Sequence, residues 1–163
     1  MTQGGDMPTE APDATEATTL LARVPYGRLA ATLRAMPFVA PARHVVLPGA
    51  LLLRMHAGLG YHRACSGSVV AYGADNLAPG AGAPDTEPRW SVQCIGTAVT
   101  VRPTDEESAL FGPEPLLVDG ERFDAVYLRI IPQLTSVHRL LPRRPGERAD
   151  GERSGEHAAS TTI

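Results

Sequence analysis

The chain has 163 residues, 43 % of them apolar and 20 % charged, which suits one domain with a real hydrophobic core. Its formal net charge is −3, so no basic field argues for a nucleic acid or an anionic membrane as partner. All 15 basic residues are arginine, which excludes Schiff-base chemistry and any lysine-based phosphate clamp.

Residues 1–17 are rich in Thr, Glu, Pro and Gly. They bury too little apolar surface to offset their ordering entropy, so a disordered N-terminal tail is expected. Residues 142–163 alternate charge sign without apolar periodicity and are expected to form a disordered C-terminal tail. The folded domain is then 18–141. The opening residues have no apolar run of the signal-peptide kind and the chain has no membrane-length apolar stretch, so a cytoplasmic location is expected.

Within the domain, Thr18–Val24 reads as one or two helical turns capped by Thr18 or Thr19. Arg28–Leu33 reads as a first strand, Met36–Pro37 as a turn, and Phe38–Leu47 as a second strand, bent or at an edge because Pro41 cannot donate to a ladder. Pro48–Gly49 is a tight turn, and Leu51–His56 completes a hairpin. A glycine turn and a short helix fill Gly58–Cys65. Gly67–Asp75 is a fourth strand, and 76–89 is a loop without elements of its own. Trp90–Arg102 is a long fifth strand with a bulge or bend expected at Gly96. Thr104 and Glu107 form a capping box for a helix that ends at Gly112–Pro113. Ala125–Ile131 and Leu134–Leu140 read as two last strands, punctuated by Pro132. Seven strands, three short helices and no repeated βαβ unit point to a mainly β fold, a small closed or half-open antiparallel barrel.

The most suggestive stretch is Ala50–Cys65. An apolar strand rises to Arg54 and His56, breaks at Gly58 and Gly60, and restarts with His62 and Arg63. Cations converging on a strand end, a turn and a helix start form a plausible anion site, with phosphate as the candidate. Arg54 alternates away from Leu53 and Met55, and Arg43 on the partner strand can face the same way. The bland alternative for Arg54 is a solvated outer face. Trp90, the single tryptophan, reads equally as a core anchor. Cys65 and Cys94 lack CxxC and zinc spacing and read as small buried hydrophobes. His56 and His62 have no third ligand beside them, so no metal site is expected. Gly58-Leu59-Gly60 lacks the third glycine and the βαβ context of a dinucleotide fingerprint.

The ordered series GRLAATLRAMPFVAPARHVV, LLLRMHAGLGYHRAC, SVVAYGAD, WSVQCIGTAVTV and YLRIIPQLTSVHRL resembles the pyridoxamine 5′-phosphate oxidase-like family of FMN-binding split-barrel proteins. The resemblance covers about Arg28–Leu140. It implies a Greek-key split β-barrel of six or seven strands, and a homodimer with two flavin sites at the subunit interface. It implies FMN-binding roles for Arg43, Arg54, His56, His62 and Arg63 around the phosphate. Trp90 and Ser91 would approach the flavin across the interface. His62 falls near where the family commonly carries a lysine, and a histidine is a pH-dependent substitute. The family's substrate residues are not recognisable near the C-terminus, so pyridoxamine phosphate oxidation itself is not expected. A flavin-dependent oxidoreductase acting on a small-molecule redox substrate or electron donor is the leading reading. A non-catalytic carrier of FMN, deazaflavin or haem is the alternative, and a cofactor-free structural dimer is a third.

Overall fold

Six strands close into an antiparallel barrel, with alternating burial clearest along Tyr26–Leu33, Ser68–Asp75 and Arg89–Val101, while Ala50–His56 is buried on both faces. The computed structural model describes residues 12–78 and 87–141. Its strands are β1 (Tyr26–Leu33), β2 (Met36–Leu47), β3 (Ala50–His56), β4 (Ser68–Asp75), β5 (Arg89–Val101), a short pair β6 (Leu117–Val118) and β7 (Glu121–Arg122), and β8 (Ala125–Leu140). The barrel order is β1–β2–β3–β8–β5–β4, with β4 pairing back onto β1. This is the mainly β split-barrel fold expected from the sequence. Among the described residues three α-helices accompany it, α1 (Pro12–Leu21), α2 (Tyr61–Cys65) and α3 (Asp105–Ala109), with a 3-10 turn at Ala57–Leu59. Among the described residues, no helix is long and apolar enough to cross a membrane.

Inward positions make one core. Leu29, Leu53, Tyr72, Cys94, Leu128 and Ile130 are all essentially inaccessible, and Ala17, Leu20 and Leu21 of α1 join the same cluster. Inside this core lies one polar network. His44 Nε2 is 2.8 Å from the Leu21 carbonyl, and His44 Nδ1 is 2.6 Å from the Tyr72 hydroxyl. A carbonyl only accepts, so Nε2 carries the proton and Nδ1 accepts from Tyr72. The Tyr72 hydroxyl also lies 3.1 Å from the Ala42 carbonyl. The network ties α1 to β2 and β4. Burial pushes the His44 pKa below its usual 6.5, against the hydrogen bond to Leu21 and with a push from Arg43. It also raises the Tyr72 pKa.

Several elements differ from the sequence expectations. Helix α1 begins at Pro12, so the boundary drawn at residue 17 falls inside it, and Ala17 is buried. Thr18 and Thr19 do not cap: their hydroxyls donate back to the carbonyls of Ala14 and Thr15 within the helix. The β1–β2 turn sits at Arg34–Ala35, not at Met36–Pro37. Leu33 pairs with Met36, and both turn residues have positive φ, 50° and 64°. The two expected last strands are one, β8, which runs through Pro132. A register shift at Ile95/Gly96 leaves Gln133 as the extra residue, so the ladder is interrupted beside Pro132, where a proline is tolerated. A Cβ on Gly96 would lie 2.0 Å from the Ile131 carbonyl oxygen, so this crossing requires glycine. The β6–β7 ribbon was not anticipated. The expected tails at 1–11 and 142–163, and most of the 76–89 loop, lie outside the described residues.

The Thr104–Glu107 capping box is present in both directions, at 3.0 and 3.1 Å. Glu107 also pairs with Arg129 of β8 at 2.9 Å, which fixes α3 against the barrel.

Candidate functional site

Arg43 and Arg54 are direct cross-strand partners in the β2–β3 hairpin. Leu51, Leu53 and Met55 fill the barrel, so Arg54 projects outward, and Arg43 projects outward beside it. The shared direction expected from the sequence is therefore found. Arg54 nevertheless has only 6 % exposure, because 111–124 lies over it. Its Nη1 donates to the Gly112 carbonyl at 3.0 Å and its Nη2 to the Pro113 carbonyl at 3.2 Å. Its guanidinium carbon stands 5.1 Å from the Phe111 ring centre and 6.0 Å from that of Phe123. Arg43 reaches the same Phe111 ring at 5.9 Å and donates to the carbonyls of Pro25 and His44.

Among the described residues, no carboxylate lies within ion-pair distance of Arg43 or Arg54. Two like charges on directly opposed positions repel, and burial removes the water that would screen them. Neutral carbonyls and ring faces compensate part of that cost. Each guanidinium retains donors beyond those used here, since an arginine carries five. The pair is thus an electropositive centre with free hydrogen-bonding capacity and no counter-ion among the described residues.

The other expected site residues divide into two groups. His56 lies on the same outer face of β3, buried and stacked on Phe123. Its Nδ1 accepts the Asp124 backbone N–H at 3.0 Å, so in this arrangement that nitrogen has no proton to offer an anion. Its Nε2 is 4.0 Å from Glu121 Oε2. His62 and Arg63 stand on α2. His62 lies near Asp124, and its buried Nδ1 has no hydrogen-bond partner. Burial lowers its pKa and Arg63 lowers it further, against an opposing pull from Asp124. The net effect favours the neutral imidazole, so His62 is not a fixed cation.

Trp90 and Ser91 are not brought to this centre within the chain. Trp90 is 2 % exposed and belongs to the core, with its backbone N–H held by Asn76 Oδ1 at 2.7 Å. Ser91 faces outward between Asp75 and His138. Arg54 pairs with Tyr127, and Tyr127 with Val101, so Trp90 and Ser91 sit at the far end of β5 from the arginines. Burial raises the Cys65 and Cys94 pKa values, so neither thiol is an activated nucleophile.

Phe111, Phe123 and the Gly112–Pro113 carbonyls were not anticipated as neighbours of Arg54. Asp119-Gly120 between Val118 and Glu121 was the available signal, because an Asp-Gly pair marks a tight hairpin. Nothing local reveals that this hairpin folds back over β3.

The family model described as pyridoxamine 5′-phosphate oxidase matches residues 13–143. The chain belongs to the pyridoxamine 5′-phosphate oxidase family. Among solved structures, this family member is similar to the FAD-binding protein from Mycobacterium smegmatis, with 26 % identity and a TM-score of 0.60. That match covers 78 % of this chain and 97 % of the other. It shares the fold of an FAD-binding protein from Mesorhizobium loti, at 18 % identity and a TM-score of 0.52, covering 78 % and 95 % of the two chains. It also shares the fold of a heme-binding protein from Mycobacterium smegmatis, at 17 % identity and a TM-score of 0.55, covering 81 % of this chain and 59 % of the other. Comparison with curated proteins found no match. The family member therefore carries a split barrel found in flavin-binding and haem-binding proteins alike, and its own chemistry has to be read from its site.

Proposed function

We propose that this pyridoxamine 5′-phosphate oxidase family member binds a flavin nucleotide and acts as a flavin-dependent oxidoreductase on a small-molecule redox partner. The observation that carries the reading is the Arg43–Arg54 pair: two adjacent guanidinium groups, one buried, with no carboxylate beside them among the described residues. Such a pair suits a phosphate monoester or a pyrophosphate, because planar guanidinium forks match phosphate oxygens. FMN and FAD both present such groups. The similarity to an FAD-binding protein at 26 % identity supports the class without choosing between them. When bound, the flavin supplies the hydride and electron chemistry itself, so an acid–base dyad is not required of the protein.

The supporting residues have unequal parts. Arg54 and Arg43 hold the anion. His62 adds charge only where the solution is acidic enough to protonate it. His56 acts through the backbone of Asp124. Ser91, which faces outward, can reach a flavin only in a partner subunit's site, whereas the side chain of Trp90 is held in the core. A homodimer is proposed on the outer sheet face, where Val69 and Leu134 are each 63 % exposed and Ile131 lies beside them across the strands.

The test is a titration of purified protein with FMN and with FAD, read by quenching of flavin fluorescence, with light scattering for the dimer. Saturable quenching by either flavin supports the reading. Protein that binds neither flavin, or that copurifies with a haem Soret band instead, overturns it.

A further inference from the structure

We infer that 111–124 is a displaceable strap whose own carbonyls occupy the anion site, so that a phosphate-bearing ligand binds by exchanging with it. The inference rests on the anion reading of Arg43 and Arg54 and adds a closed state to it.

The strap is fastened at two points. At its start, the Gly112 and Pro113 carbonyls accept from Arg54 while Phe111 lies against both guanidinium groups. At its end, the Asp124 N–H donates to His56 Nδ1, and the Asp124 carbonyl accepts from the Ala57 N–H at 2.8 Å. Between these points the chain holds mainly to itself. The β6–β7 ribbon forms a separate two-stranded sheet, and Phe123 N–H reaches back to the Leu116 carbonyl at 3.1 Å. Leu116 is 77 % exposed and Leu117 53 %, so the ribbon tip buries little against the barrel. The strap's apolar anchors are at its two ends, Phe111 against Tyr127 and Phe123 on His56; the span between them has no buried residue and opens at lower free energy than the strands beneath it. An isolated two-stranded hairpin is itself only marginally stable in water.

The exchange is chemically directed. Arg54 now donates to neutral carbonyls. Phosphate oxygens match the guanidinium fork bidentately and carry opposite charge, which two separate backbone carbonyls do not. A phosphate also supplies the counter-charge that the arginine pair lacks, which carbonyl dipoles do only in part. A neutral ligand gains neither advantage and leaves the strap in place.

The test is amide hydrogen exchange on the full chain, alone and with pyrophosphate, FMN or riboflavin, together with FMN titrations of Phe111→Ala and Pro113→Gly. The expected result is faster exchange at Ala57 and Asp124, whose N–H groups fasten the strap to β3 and the turn after it, with pyrophosphate and FMN, and no change with riboflavin. Pro113→Gly, at an exposed position, leaves both arginines and Phe111 intact, and should bind FMN several-fold more tightly. Phe111→Ala should reach about tenfold if its ring contacts with the two guanidinium groups are lost only on opening. Slower or unchanged exchange at these amides when pyrophosphate is bound overturns the strap exchange, as does unaltered FMN affinity in Pro113→Gly. Binding of pyrophosphate with loosening of the strap, but no binding of FMN, sustains the exchange and overturns the flavin reading alone. No anion binding to any of the three proteins overturns both.

Discussion

Replacing His44 with leucine isolates the polar network inside the barrel. The side chains are similar in size, so the main loss is polar. The Leu21 carbonyl would lose its donor in a buried place, while the Tyr72 hydroxyl, freed from His44, can turn its proton to the Ala42 carbonyl. Leaving one buried carbonyl unpaired costs about 1–3 kcal/mol. For a chain of this size, ~2 kcal/mol lowers the melting temperature by about 4–8 °C. The same residue gives a pH signature. Burial and Arg43 hold its native pKa below the usual 6.5. The unfolded chain therefore binds a proton that the native chain refuses in the interval below 6.5. Stability is full above that pH and falls as pH drops through it, with a limiting slope of about 1.4 kcal/mol per pH unit. His62 is shifted the same way and contributes in the same direction, so the decisive quantity is the difference between wild type and variant. Urea unfolding at pH 7.5, 6.0 and 5.0 reads it. The variant should be less stable at pH 7.5 and show the shallower acid slope. Equal stability at pH 7.5, or identical pH dependence in both proteins, refutes the assignment of His44 as a neutral buried tie to α1.

Two further outcomes follow from the same geometry. Gly96→Ala places a methyl group against the Ile131 carbonyl at the β8 bulge. Overpacking of this kind costs typically ~1–3 kcal/mol, and a contact with rigid backbone belongs at or above the top of that range; calorimetry should show a melting point lower by about 6 °C or more. If His62 contributes charge to the anion site, FMN affinity should strengthen as pH falls below about 6.5 and stay flat from pH 7.5 to 8.5, where the depressed pKa leaves the ring neutral. His62→Gln should abolish the acid increase, and a wild-type affinity independent of pH would remove His62 from the site.

Much of the barrel was legible because its signals are local. Alternation placed Arg54 opposite Leu53 and Met55, Pro48-Gly49 fixed the β2–β3 hairpin, and Thr104 with Glu107 announced α3. The β8 strand was misread as two because the sequence shows Pro132 but not the register shift opposite Gly96 that accommodates it. Threonines at 18 and 19 suggested a cap, whereas their hydroxyls bond back within a helix that had already begun. The candidate site was legible only by half. The pairing of Arg43 with Arg54 follows from one hairpin register. The covering by Phe111, Gly112, Pro113 and Phe123 depends on a contact across nearly sixty residues, which no local pattern specifies. Trp90 illustrates the same limit: its position on a strand was clear, but whether it faced the core or a partner depended on packing against distant elements.

The central claim is that Arg43 and Arg54 form a phosphate site for a flavin nucleotide. Its most direct measurement is the FMN and FAD affinity of wild type, Arg54→Gln and Arg43→Gln at low ionic strength, with riboflavin as the phosphate-free control. Loss of one charge-assisted interaction should weaken FMN binding by about 10–100-fold, with added salt narrowing the gap and riboflavin equally weak in all three proteins. Equal FMN affinity in wild type and both variants, or riboflavin binding as tightly as FMN, would contradict the account.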